Sequence, residues 1–270
     1  MRTPRISESR CRVLLAAFAL AAALDLASLT VGFHGGHVIA KPLLMPLLAA
    51  WAAARGAPRL LVAALLCGWG GDVLLLSDAG PAFLAGMACF ATGHVCYLAL
   101  FGRHGGPGTS AALLGGPRAT ALLDPPRTPT DLPGRPRART ALLGRLRART
   151  VLLAPGYLVA LVTTVALLWP DLPADLRVPV AGYSTLLVAM ACVAAIRLGP
   201  VAGLGGVLFL LSDTLIATGV ADWPQPSRPD LWIMLTYLAA QFLLATGTLR
   251  ALEARPGPMA TYGEVRSTTP

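Results

Sequence analysis

Eight apolar runs, each close to the length of a bilayer span, divide this chain: residues 12–33, 37–54, 60–77, 82–101, 151–169, 178–196, 200–219 and 231–250. A helix needs about 20 mostly apolar residues to cross the hydrocarbon core. The runs therefore predict an all-α, polytopic membrane protein with eight transmembrane helices. With 55% hydrophobic and 13% charged residues and a mean hydropathy of +0.65, the chain lacks the polar surface that a soluble domain requires.

Arginine placement sets the expected orientation, because cytoplasmic segments carry the excess of basic residues. With eight spans and both termini cytoplasmic, one side collects Arg2, Arg5, Arg10, Arg12, Arg55, Arg59, the nine arginines from Arg103 to Arg149, Arg197, Arg250, Arg255 and Arg266. The other side holds only Arg177 and Arg228, beside Asp78, Asp171, Asp175, Asp222 and Asp230. One missed or invented span would scramble this alternation, and a multi-pass protein of the plasma membrane is expected. Basic residues before the first run also fit a signal peptide, but Asp25 inside it and seven spans after it favour a retained first helix. The basic balance, pI 10.1 with Lys41 as the single lysine, accompanies abundant Ala, Gly and Pro and reads as coding bias, so no nucleic-acid partner is expected. The five cysteines include no CxxC pair and read as small buried hydrophobes.

The spans group into one membrane domain with four-helix parts at 1–101 and 151–252, a 102–150 cytoplasmic loop rich in Arg, Pro and Gly, and a polar 253–270 tail. Residues 104–140 and the tail are expected to be largely disordered. The end of the loop, "RARTALLGRLRART", has two readings. It is either a solvated linker or a basic amphipathic helix on anionic head groups, worth about 1 kcal/mol per Arg near the surface.

A carboxylate at the centre of a span costs roughly 2.5–3.5 kcal/mol on insertion scales, so such a residue marks a candidate site. Measured at ~1.5 Å per residue from the nearest arginine of the basic side, Asp25 lies ~20 Å deep, Lys41 ~21 Å, Asp72 ~20 Å, Asp213 ~24 Å and Tyr237 ~20 Å. These five groups, from the first, second, third, seventh and eighth runs, share one layer. Asp78, at ~28 Å, falls near the far surface, and His94 and Gln241 are shallower at ~14 Å. His94 and Tyr97, three apart, share a helix face. Asp25 is expected to pair with Lys41. Gly68, Gly70 and Gly71 before Asp72, and Gly203, Gly205 and Gly206 before Asp213, allow either close helix packing or a substrate chain against the backbone.

Taken in order, "KPLLMPLLAAW" at 41–51, "GDVLLL" at 71–76, "FLAGMACFATGHVCYLALF" at 83–101 and "GGVLFLLSDTLIA" at 205–217 resemble the successive motifs of the lysoplasmalogenase (YhhN-like) membrane proteins. The resemblance covers runs two to four and seven well, run eight loosely, and the 104–149 insert not at all. It implies an eight-helix fold and hydrolysis of the vinyl ether bond of lysoplasmalogens (lysoplasmenyl-ethanolamine and -choline) to a fatty aldehyde and a glycerophospho-alcohol. The GD and SD aspartates, here Asp72 and Asp213, would be the catalytic pair. That chemistry protonates the outer alkene carbon and sends water onto the resulting oxocarbenium ion. It needs a carboxylic acid and a second group that stabilises positive charge and activates water, roles that two carboxyls in a low-dielectric site can divide. No metal, cofactor or nucleophilic serine is required. Either aspartate can be the acid. Lys41 either holds the base ionised or binds the substrate phosphate; His94, Tyr97 and Tyr237 complete the expected substrate-binding set, and an intrahelical bond is expected of Ser212.

Two other classes compete. In a small transporter or lipid-binding protein, Lys41 and the aspartates would form an intramembrane relay, with "GWGGDVLLLSD" and "GLGGVLFLLSD" marking parallel repeats. A zinc-dependent membrane hydrolase would need several His ligands, and only His94 lies well inside a run; His34, His37 and His104 fall at loops or ends. The expected partners are a lysophospholipid substrate and membrane lipids, with anionic head groups at the arginine-rich loop.

Overall fold

The computed structural model describes residues 4–77, 79–104 and 135–254. Among them are eight helices: α1 (Pro4–Val31), α2 (His34–Ala54), α3 (Arg59–Leu74), α4 (Gly80–His104), α5 (Arg135–Leu168), α6 (Ala174–Leu198), α7 (Pro200–Val220) and α8 (Pro229–Glu253). Seven are long and apolar enough to cross a membrane. The exception is α3, whose 16 residues rise only about 24 Å, short of the ~30 Å hydrocarbon core. Its helix ends at Leu74, three residues before the apolar run does. Gly68, Gly70 and Gly71 lower helix propensity there, and Asp72 is left within three residues of the helix terminus.

In α5 the end of the loop takes the helical one of its two readings. Residues 135–150 are helical backbone continuous with the span Ala148–Leu168. Ala, Leu and Arg are strong helix formers, Pro136 falls in the first turn, where proline is tolerated, and Gly144 is the single glycine of the stretch. At 34 residues the rod is about 51 Å long. Asp78, the rest of the loop from residue 105 to 134 and the tail from residue 255 lie outside the described residues.

Neighbours in sequence pack as antiparallel pairs, α1 on α2, α3 on α4 and α7 on α8, and α4 against α6 joins the two halves. The buried hub is α8, touching α1, α2, α6 and α7, whereas α5 leans mainly on α6. The difference is large: 56% of the α8 span is buried and 6% of the α5 span. Lipid offers no hydrophobic drive between helices, so close packing of small residues must supply it. A Cβ on Gly205 would sit 2.9 Å from Ala240 O and Leu244 N, one on Gly206 2.8 Å from Ala191 Cα, and one on Gly247 2.7 Å from Ala202 N. Neighbouring helices thus occupy these glycine faces, and of the two readings packing holds for them. Gly199, with φ 93°, alone links α6 to α7 and uses the left-handed conformation that glycine adopts freely.

Apart from Arg177 near the start of α6, the arginines at the ends of the spans are brought to one end of the bundle by the antiparallel packing. There Arg55 pairs with Glu253 at 2.7 Å, and Arg197 donates to Phe101 O at 3.0 Å and Gly102 O at 3.3 Å, closing the C-terminus of α4. Such carbonyls have no partner within the helix.

Candidate active site

Asp72, buried on α3, accepts a hydrogen bond from the Tyr237 hydroxyl of α8 at 2.8 Å. Gln241, one turn further along α8, donates from Nε2 to the Tyr237 oxygen at 3.4 Å and accepts from the Tyr97 hydroxyl at 2.9 Å. Four buried polar side chains from three helices thus form one row that ends on Asp72. Gly68 makes the row possible, because a Cβ there would stand 3.1 Å from both Tyr237 Oη and Gln241 Nε2.

Asp213, half-buried on α7, anchors a second and shorter row. The Tyr183 hydroxyl of α6 donates to its Oδ2, and His94 Nε2 lies 3.2 Å from the same hydroxyl. With the Tyr183 proton directed to the carboxylate, His94 is the group that must donate, which places its own proton on Nε2. Its Nδ1 is buried without a partner. His94 and Tyr97 therefore serve different rows despite sharing a helix.

Between the rows stand aromatic rings. Phe209 meets His94 at 4.9 Å and Tyr237 at 5.5 Å, and Phe90 meets Tyr237 at 5.9 Å and Phe209 at 6.4 Å, all edge to face.

Asp25 finds a partner other than the expected one. It bonds to His37 Nδ1 at 2.8 Å, both residues being buried, and Lys41 makes no ion pair among the described residues. His37 and Lys41 lie four apart on one face of α2, and the first of the two reaches Asp25. Ser212 also departs from expectation, donating across to Ile233 O of α8 at 3.1 Å rather than within its own helix.

A cavity of about 180 Å³ opens beside Asp213. Since a water takes about 30 Å³, it has room for several waters or a short alkyl segment. Its walls are chiefly apolar and come from α4, α5, α6 and α7, with Asp213, Tyr183, Ser184, Thr164, Thr214 and Arg177 as the polar exceptions. Asp72, Lys41, His94, Tyr97 and Tyr237 are not among its lining residues. The structure thus separates the site residues expected from sequence: only Asp213 faces this space. Tyr183, the residue that sequence reading missed, was within reach of the depth ruler, since it lies about 21 Å from Arg197 and so in the same layer. No cluster of three or more His, Cys, Asp or Glu side chains able to hold a metal occurs among the described residues.

The sequence model of the YhhN family matches residues 36–123 and 140–248. It thus extends over most of the loop that the motif comparison left out. The chain is 33% identical to Lysoplasmalogenase TMEM86B of Homo sapiens over 196 residues, 73% of this chain and 66% of the relative. The protein of that name from Sus scrofa is 31% identical over 198 residues, 72% and 65% of the two chains. From Rattus norvegicus it is 30% identical over 217 residues, 78% and 71%. The chain therefore spans about two thirds of the length of these relatives. No solved structure matches it. With the family match running through seven of its eight helices and past both aspartates, the chain belongs to the YhhN family.

Proposed function

We propose that this protein hydrolyses the vinyl ether bond of lysoplasmalogens, as the name of its curated relatives implies for them. The observation that carries the reading is a carboxyl group, Asp213, held by a tyrosine at the wall of a chiefly apolar cavity. A second buried carboxyl, Asp72, lies on the other side of the Phe90 and Phe209 rings. Asp213 gives its proton to the outer alkene carbon, and the electrons of the double bond form that C–H bond. The adjacent carbon becomes an oxocarbenium ion. Water attacks this carbon and passes a proton back to Asp213, leaving a hemiacetal. Cleavage of its bond to the glycerol oxygen, with transfer of the hydroxyl proton to that oxygen, yields the aldehyde and the alcohol.

In its ionised form Asp72 is an anion behind the Phe90 and Phe209 rings, stabilised by the hydrogen bond that Tyr237 donates to it. A fixed anion near a developing cation stabilises the transition state without reorganising when the reaction occurs. Acid and base roles thus fall to Asp213, and Asp72 acts through its field. The orientation follows the arginines, with both termini cytoplasmic in the plasma membrane, and the basic first part of α5 meets anionic head groups.

The test is aldehyde release by purified protein from lysoplasmenyl-ethanolamine and lysoplasmenyl-choline. Release by the wild type, lost in Asp213→Asn, is expected. A folded wild type inactive on both substrates over a range of lipid and pH overturns the reading, as does full activity in Asp213→Asn.

A further inference from the structure

The cavity beside Asp213 runs to the bundle end opposite the arginine cluster, where it is lined by Trp169, Leu172 and Arg177. Arg177 is half-buried and held in place by two of its own N–H groups, Nε donating to Leu172 O at 3.1 Å and Nη2 to Pro170 O at 3.1 Å. A guanidinium carries five N–H donors. The other three have no partner among the described residues, and Arg177 forms no ion pair there. Asp171, the nearby carboxylate on the same loop, accepts instead from Trp223 Nε1 at 2.8 Å. An anchored cation with unused donors at the rim of an apolar cavity suits an anionic, oxygen-rich group attached to an alkyl chain.

We infer that Arg177 binds the phosphate of a single-chain glycerophospholipid whose sn-1 linkage then lies against Asp213. The inference rests on the hydrolase reading for the identity of the reacting bond. Spacing supports it. Arg177 and Tyr183 are six residues apart on α6, about 9 Å along the axis, and Tyr183 holds Asp213. From phosphorus to the outer alkene carbon of a lysoplasmalogen is seven bonds, roughly 8–9 Å when extended, at an advance of about 1.25 Å per bond along the zigzag. Depth supports it as well. Asp213 lies seven residues, about 10 Å, from the end of α7, while Trp169 and Trp232, both partly exposed at that end of the bundle, mark the interfacial level where tryptophans concentrate. The phosphate therefore sits at head-group height and the reacting bond just beneath it, in the leaflet on the Arg177 side. The chain has a way out into lipid, since α4 and α5 face each other across the cavity without packing closely. Lys41, outside the cavity, is then not the phosphate ligand.

Binding tests this without requiring turnover. The saturated, non-hydrolysable 1-O-alkyl-glycerophosphoethanolamine and the neutral 1-O-alkylglycerol would be titrated into wild type, Arg177→Gln and Arg177→Lys in micelles, with soluble glycerophosphoethanolamine as a competitor. Wild type is expected to prefer the phosphate-bearing lipid about tenfold or more. Arg177→Gln should abolish that preference and Arg177→Lys should retain part of it, with the chainless competitor weak. No preference in the wild type overturns the inference. So does an undiminished preference in Arg177→Gln, or an equal loss of affinity for both lipids, which would mark a purely structural arginine. A competitor as effective as the lipid would reassign the site to free phosphate esters and overturn it too. Absence of aldehyde release by the wild type would sink the hydrolase reading and leave this binding result legible by itself.

Discussion

Each carboxylate of the layer has one hydroxyl or imidazole partner, and the partners are what substitution can probe. Tyr237→Phe removes the donor to Asp72 and Tyr183→Phe the donor to Asp213. Because a hydrogen bond to a charged group contributes about 1.5–3 kcal/mol, each change should slow aldehyde release roughly 10- to 100-fold in a steady-state assay, and Asp213→Asn should slow it more than either. Asp78→Asn should be nearly silent by comparison. His37→Ala strips Asp25 of the group bonded to it and leaves a buried carboxylate alone, a loss of about 3–5 kcal/mol. A large fall in Tm in detergent, with Asp25→Asn/His37→Ala milder than His37→Ala alone, is the expected pattern. Depth along the sequence was enough to put Asp72 and Tyr237, which do bond to each other, at one height, because membrane thickness converts residue number into height. It could not say which neighbour each would choose. Rotation about the helix axis decides that, and rotation gave Asp25 to His37 rather than to Lys41 and gave Asp213 the Tyr183 that no motif had marked.

The helices were legible where lipid dictates them: the apolar runs fall within a few residues of six of the eight, α1 and α5 begin well before theirs, and α3 ends early where its glycines stop favouring the helix. The arginine-rich start of α5 left two readings open, since the same residues suit a solvated linker and a helix equally by composition. Packing at the element scale is tightest between α7 and α8. Gly247→Leu drives a side chain into the Ala202 backbone and should cost about 1–3 kcal/mol or more, lowering Tm well below that of Gly182→Leu, where a Cβ would meet nothing within 4 Å. Gly68→Ala is subtler. Its methyl group crowds Tyr237 and Gln241, so activity should fall while Tm changes little.

For the molecule as a whole, the chemistry proposed needs only carboxyls and water, so incubation with EDTA followed by dialysis should leave aldehyde release unchanged. A requirement for added zinc would redirect attention to ligands outside the described residues. The seam between α4 and α5 has a kinetic meaning of its own. A catalyst that takes its substrate sideways from the bilayer responds to how crowded that substrate is among other lipids, not to how many moles a test tube contains. Adding inert phosphatidylcholine at fixed total substrate should therefore slow the reaction in proportion to the falling surface mole fraction, and restoring the ratio should restore the rate. The fatty aldehyde, released into the same two-dimensional phase, should accumulate there and compete, whereas the water-soluble glycerophospho-alcohol should not.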